Sequence, residues 1–228
     1  MALRCKEVTT LPELEKVFAL RYLIYVEEQG FNPPYADHKR RWLRDEYDDI
    51  SVSYALYDDD EPVGTIRTTG FAELPDLTCL RERFYTDKAE ALLGREALFL
   101  VTRFMVLPKY RNGLGAVKLA LQCYQGSLQR QYRLAFSDCS PNRYASFCKL
   151  GYRHYAESYV HEVYGEKYRI MLLMRDHDYL RQFNSPFMRI AKDYPDDSEL
   201  RAWFASNYPA FAQKNGDLPK PLVERLQQ

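Results

Sequence analysis

The chain has 228 residues, with 32 Lys plus Arg against 32 Asp plus Glu, 46% hydrophobic residues and 28% charged ones. Zero formal charge argues against a protein whose main partner is the nucleic-acid backbone, and the near-average apolar and charged fractions argue against disorder or collagen-like architecture. No apolar run approaches the ~18 residues of a membrane span, and MALRCKEVTTLPELEK lacks the layout of a secretory signal, so a cytoplasmic protein without membrane insertion is expected.

Thr10-Leu11-Pro12-Glu13 reads as a capping box with proline in the first turn, predicting a helix to about Gln29 with Leu11, Leu14, Phe18, Tyr22 and Tyr25 on its apolar stripe. Residues 30–48 are polar and irregular. SVSYALYDDDEPVGTIRTT predicts two strands joined by an acidic turn near Asp60, and residues 71–95 predict loop and short helix. ALFLVTRFMVL (97–107) is apolar on both alternating faces, as a strand covered on both sides would be. A helix follows, with Leu114, Val117, Leu121, Tyr124 and Leu128 as its stripe. Then come a strand, RLAFSDC, a helix from Ser140-Pro141 to Gly151, and two closing strands in 152–174. Short helices follow, with Leu200, Trp203, Phe204 and Phe211 packing back. The interleaving predicts a mixed α/β (α+β) chain.

The five cysteines are scattered without a C-x-x-C pair, and the four histidines lack zinc-ligand spacing, so no metal is expected. Cys139 and Cys148 show no Cys–His pattern that would make either a nucleophile.

Arg111-Asn112-Gly113-Leu114-Gly115-Ala116 joins the apolar strand to the next helix. A glycine-rich turn at a helix N-terminus presents unpaired N–H groups at the positive end of the helix dipole, which suits phosphate. It is neither a Walker loop, lacking G-K-[ST], nor a dinucleotide fingerprint, lacking the third glycine. Followed by helix, strand and Asn142-Arg143-Tyr144-Ala145-Ser146-Phe147-Cys148-Lys149-Leu150-Gly151-Tyr152, the segment resembles the GNAT superfamily of acyl-CoA-dependent N-acyltransferases over residues 50–175. The resemblance implies a central mixed, largely antiparallel sheet flanked by helices. It also implies coenzyme A held by Arg111–Ala116 and Asn142, with backbone N–H groups of the strand near Met105, Val106 and Leu107 as oxyanion donors. Two departures stand out: Arg111 lies two rather than three residues before Gly113, and Phe147 occupies the place of the family's tyrosine acid.

Arg21, Arg67 and Arg103 lie where apolar residues belong, with Arg103 expected on the face of Phe99, Val101 and Met105. A buried guanidinium needs a carboxylate or a substrate anion, and Asp45-Glu46-Tyr47-Asp48 supplies candidates. The alternative is a structural ion-pair lattice, or arginines that reach the surface. The pattern Arg21…Tyr25, Asp45…Asp48, Val63-Gly64-Thr65-Ile66-Arg67 and Thr102-Arg103 is similar to the acyl-homoserine lactone synthases and the N-acyl amino acid synthases, a GNAT branch served by acyl carrier protein. Leu100 replaces that branch's glutamate, and its tryptophan near residue 31 is absent, which fits an N-acyl amino acid synthase better than a lactone synthase.

N-acylation needs a positioned amine, a route for its proton and donors for the oxyanion. Glu96 is the first candidate base and His38 the second. Thr102 and Arg103 complete the catalytic set, and Arg21, Asp45, Asp48 and Arg67 form the substrate-binding set. The expectation is a GNAT-like domain over 1–175 with a helical extension over 176–228. Its reaction is acyl transfer from acyl-CoA, or from the acyl-phosphopantetheine of acyl carrier protein, to a small-molecule amine such as an amino acid. The alternatives are an acetyl-CoA-dependent N-acetyltransferase and a non-catalytic acyl-CoA-binding module. The neutral average conceals polarity: residues 45–61 hold eight acids and no Lys or Arg, while 97–137 hold six basic residues and no acid.

Overall fold

A computed structural model describes residues 3–111 and 113–214, which form two compact units dividing between Tyr132 and Arg133. The first unit carries β1 (Arg4–Glu7), α1 (Leu11–Tyr22), a π-helical continuation (Leu23–Glu28), a short hairpin β2 (Ala36–Asp37) and β3 (Trp42–Leu43), and a 3₁₀ turn (Glu46–Asp49). Then follow β4 (Val52–Asp58), β5 (Glu61–Gly70), α2 (Thr78–Phe84), α3 (Asp87–Leu93), β6 (Leu98–Val106) and α4 (Gly115–Gln129). Its strands pair antiparallel in the order β1-β4-β5-β6.

Helices cover both faces of this sheet, which is why β4 and β5 are buried along nearly their whole length. On one face Ala55 and Tyr57 of β4 pack with Val17 of α1 and Val8. On the other, Leu56 and Tyr54 meet Gly115 and Gly126 of α4. A Cβ at Gly126 would stand 2.1 Å from the hydroxyl of Tyr54, a side chain with 1% exposure. That hydroxyl also accepts from Arg130, whose other nitrogen pairs with Glu7. Gly126→Ala is therefore expected to destabilise by about 1–3 kcal/mol through overpacking, despite alanine's better helix propensity, as a thermal melt would show.

The capping box forms as the sequence predicts, with Glu13 accepting from the Thr10 N–H. The stripes shift, however. Leu11 (65% exposed) and Leu114 (74%) lie outside the core, because each sits at a helix start before the packed turns. Val17, Leu20 and Ile24 take the buried face of the first helix, and Leu119, Ala120 and Cys123 join Tyr124 and Leu128 on α4.

In the second unit β10 (Gly165–Leu173) pairs antiparallel with β7 (Leu134–Cys139), β8 (Arg153–His154) and β9 (Tyr159–His161). Helix α5 (Tyr144–Leu150) ends at Gly151, whose φ of 105° only glycine adopts without strain. Four short helices follow: α6 (His177–Gln182), α7 (Met188–Ala191), α8 (Ser198–Asn207) and α9 (Pro209–Lys214). Leu200 and Phe204 are buried there as expected, while Trp203 and Phe211 are half-buried. Buried Arg153 and Asp176 lie 2.8 Å apart, and Arg201 adds a second contact to Asp176. No helix among the described residues is long and apolar enough to cross a membrane.

Candidate active site

Arginines at apolar positions of α1 and β5 demand carboxylates, and the chain returns with two. Residues 45–49 wind into a 3₁₀ turn because Asp45 caps it, accepting from the Tyr47 N–H, while Asp48 accepts from the Asp45 N–H. The turn thereby aims both carboxylates at the sheet. Arg21 donates to Asp48 (2.6 Å) and to Ser53 (3.0 Å) with no exposed side-chain surface. Arg67 forks onto both oxygens of Asp45 (2.5 and 3.1 Å), lies 2.9 Å from Asp48 and donates Nε–H to Thr102 Oγ1 (3.1 Å).

Arg103 closes the lattice, and a break in β6 brings it there. Thr65 pairs with Met105 and Arg67 with Thr102, so β6 carries one residue more than β5 across this stretch. That extra residue makes a β-bulge, and Arg103 sits in it at φ 56°, a left-handed conformation uncommon for a non-glycine residue. The bulge puts Thr102, Arg103 and Met105 on the α1 side together. Met105 packs there with Leu20 and Ile24. The expected sharing of a face with Phe99 does not occur. Phe99 stacks on Tyr132, whose hydroxyl lies against Gly70 on the opposite face. Arg103 donates to Asp45 Oδ2 (2.5 Å) and to the Tyr35 hydroxyl (2.8 Å), with the rings of Tyr25 and Tyr35 each 5.4 Å away.

The lattice thus joins three arginines to two aspartates. Burial alone would raise the Asp45 carboxyl, but Arg67 and Arg103 pull it well below the usual carboxylate range. Asp48 is likewise lowered against its burial, by Arg21 and Arg67. Burial brings the Arg21 guanidinium down to about 10, with Asp48 opposing and its arginine neighbours reinforcing. Both aspartates and Arg21 are therefore ionised at neutral pH.

Beyond the bulge, Leu107 donates its N–H to Val63 O (2.8 Å). In an antiparallel ladder alternate residues face the same partner strand, so Met105 also faces β5 while the N–H and C=O of Val106 turn away. The Val106 carbonyl accepts from Arg111 Nε (2.8 Å), and the outer nitrogens of Arg111 fork onto Glu28 (2.6 and 2.7 Å). Next to Arg111, a Cβ at Gly113 would meet only the Tyr110 carbonyl at 3.9 Å, whereas one at Gly115 would strike Leu56 at 2.9 Å. Gly113 leaves room for a ligand, and Gly115 lets α4 approach the sheet. Helix α4 starts without a side-chain cap or an acid in its first turn, which suits an anion. Leu114 is exposed and Ala116 half-buried in that turn; Asn112 lies outside the described residues.

Other expected residues stand apart. Glu96 is exposed in the turn before β6. Between that turn and the lattice runs ~13 Å of strand, from Leu98 to Thr102. Exposed His38 lies in the segment that carries Tyr35. Asn32 Oδ1 can only accept from His38 Nε2–H (3.1 Å), so the neutral ring's Nδ1 accepts from Tyr22 (2.9 Å). Asn142, in the second unit, accepts from Ser140 (2.8 Å), and Phe147 packs edge-on against Tyr152. Burial raises the thiols of Cys139 and Cys148, the latter to about 11, so neither is a thiolate nucleophile at neutral pH. Among the described residues no group of three or more His, Cys, Asp or Glu could hold a metal ion. Sequence reasoning missed Ser53, Tyr35 and Glu28 as partners of the arginines. Tyr25 alone carried a signal, as a member of the helical stripe.

Residues 20–121 match the family model for the GNAT acetyltransferase domain. No curated protein matches the chain. Among solved structures, the CoA-dependent acyl-homoserine lactone synthase BjaI is similar at a TM-score of 0.62 and 15% identity, over 85% of this chain and 100% of that one. FeeM, an N-acyl amino acid synthase from uncultured soil microbes, gives 0.58 and 12% over 83% and 99%. Escherichia coli ElaA gives 0.53 and 14% over 75% and 99%. Residues 20–121 carry the likeness to the GNAT acetyltransferase domain, and the fold is the one these acyltransferase structures share.

Proposed function

We propose that the protein transfers an acyl group from a thioester, carried by coenzyme A or acyl carrier protein, to the amino group of an amino-acid-like small molecule. The observation that supports this best is the charge of the lattice, where three arginines face two aspartates. Arg67 forks onto Asp45, and Arg21 divides its outer nitrogens between Asp48 and Ser53, so both hold the lattice rather than the substrate. Arg103 then takes the acceptor's carboxylate, which neutralises the remaining positive charge through charge-assisted hydrogen bonds. The likeness of the fold to an N-acyl amino acid synthase is in keeping with such an acceptor.

The Val106 N–H serves as oxyanion donor, because it turns away from β5 while those of Met105 and Leu107 face that strand. Phosphates of the donor lie over Arg111, Gly113 and the first turn of α4. Thr102 accepts from Arg67 and so fixes the strand on which Arg103 turns. Both lattice aspartates are held ionised by arginine and are poor bases. Of the two base candidates, His38 shares a segment with Tyr35, which touches Arg103, and Glu96 does not. His38 is therefore assigned the amine's proton, which it takes at Nδ1, its one lone pair, once the Tyr22 hydroxyl that occupies it (2.9 Å) turns away. His38→Gln should lower kcat by ~100-fold, at the lower end for general base catalysis; an unchanged kcat assigns the proton to water.

The second reading is an ordinary N-acetyltransferase, favoured by the family description of residues 20–121. Mass spectrometry of the protein incubated with acetyl-CoA, a long-chain acyl thioester and mixed amino acids separates the readings. Long-chain N-acyl amino acids support the synthase, and acetylated products the acetyltransferase. Thioester binding without turnover would overturn both in favour of a binding module. The five free cysteines support a cytoplasmic location, where thiols stay reduced, and fractionation would test it.

A further inference from the structure

Arg111 is the loop residue expected to meet a donor phosphate, yet its guanidinium already holds a carboxylate. Nε–H is pinned on the Val106 carbonyl at 2.8 Å, which fixes the plane of the guanidinium beside the end of β6. The two outer nitrogens point away from that anchor and grip Glu28 through both oxygens, at 2.6 and 2.7 Å. A guanidinium fork accepts two oxygens of a carboxylate or of a phosphate in the same geometry. The side chains of Arg111 and Glu28 are 26% and 30% exposed, so an anion arriving from solvent reaches the pair. The neighbouring cation of the loop, Lys109, lies over the ring of Tyr110 at 5.1 Å.

We propose that Glu28 and a phosphate of the acyl donor compete for the outer nitrogens of Arg111, making Glu28 a determinant of donor affinity. Arg111 need not swing for the exchange, because Nε–H keeps its hold on Val106 while the partner of its fork changes. Glu28 closes the π-helical stretch Leu23–Glu28, an arrangement often found at functional sites, and its release frees the end of that stretch rather than a packed turn. The same stretch carries Tyr25, which faces Arg103. The inference rests on the reading that the donor's phosphates lie at this loop.

Calorimetric titration of coenzyme A into wild type, Glu28→Gln, Arg111→Ala and the double variant tests it as a double-mutant cycle, with circular dichroism melts confirming folding. Glu28→Gln should tighten binding about two- to fivefold, the range expected for losing an exposed competing ion pair. Arg111→Ala should weaken binding, and adding Glu28→Gln to it should change nothing further. If wild type binds and Glu28→Gln binds no tighter, competition is overturned while the donor reading stands. Tightening that persists without Arg111 overturns it equally. If no form binds coenzyme A, the coenzyme A reading of the donor falls and the competition proposed for its phosphate with it.

Discussion

Arg103→Ala is expected to lower kcat/KM for the amine acceptor about a hundredfold or more, while the unfolding midpoint moves by only a few degrees. A hundredfold corresponds to ~2.7 kcal/mol of lost transition-state stabilisation, within the range of one charge-assisted hydrogen bond plus the positioning it provides. Stability should change little for a reason visible in the lattice. Asp45 keeps the fork of Arg67 when Arg103 is gone, and the remaining charges are two arginines and two aspartates. The backbone supplies an internal control. At φ 56° both arginine and alanine are strained, whereas glycine is not, so Arg103→Gly should be more stable than Arg103→Ala by ~1 kcal/mol and equally inactive. Arg103→Lys keeps the charge but loses the planar guanidinium over the rings of Tyr25 and Tyr35, whose Nη2 reaches both Asp45 and Tyr35, so it should recover less than a tenth of the activity. Full activity in a folded Arg103→Ala would make the arginine constellation a scaffold.

What the sequence disclosed and what it withheld follow one physical line. Interior arginines were legible because periodicity placed Arg21 and Arg67 among apolar neighbours, and burial then required the acids at 45 and 48. The capping box at Thr10 and the glycine stop at Gly151 were legible because they depend on adjacent residues alone. The bulge at Arg103 was not, since an extra residue in a strand shows itself only against the register of its partner. That single residue moved Phe99 to the far face and decided which arginine faces Tyr35. Distance in sequence hid the rest: Tyr35 meets Arg103 from a polar segment with no periodic pattern, and Glu28 meets Arg111 from the polar end of the first helix. Glu96 shows the converse, since bordering the strand in sequence leaves it at the wrong end of it in space.

Asp45→Asn should be the most destabilising single change in the lattice, at about 3–5 kcal/mol, the usual cost of removing one partner from a buried ion pair. The asparagine would leave Arg67 and Arg103 facing each other, with Asp48 alone against three guanidinium groups. Against a typical total of ~5–15 kcal/mol, such a loss would be read as a large fall in the urea midpoint. The pH dependence gives an independent signature. Both aspartates titrate lower in the folded chain than their unfolded value of about 3.9, so their contribution is complete above ~pH 5 and disappears as pH falls below 4 through the folded values. Arg21, brought down to about 10, stays protonated throughout that range and adds nothing to the acid limb. Each depressed carboxylate contributes up to ~1.4 kcal/mol per pH unit to the slope there, so the pair gives twice that in wild type and half as much after Asp45→Asn. Urea titrations at a series of pH values between 2 and 6 measure both slopes. Equal slopes would mean that Asp45 binds the same number of protons folded and unfolded, and that Arg67 and Arg103 do not hold it in the folded state.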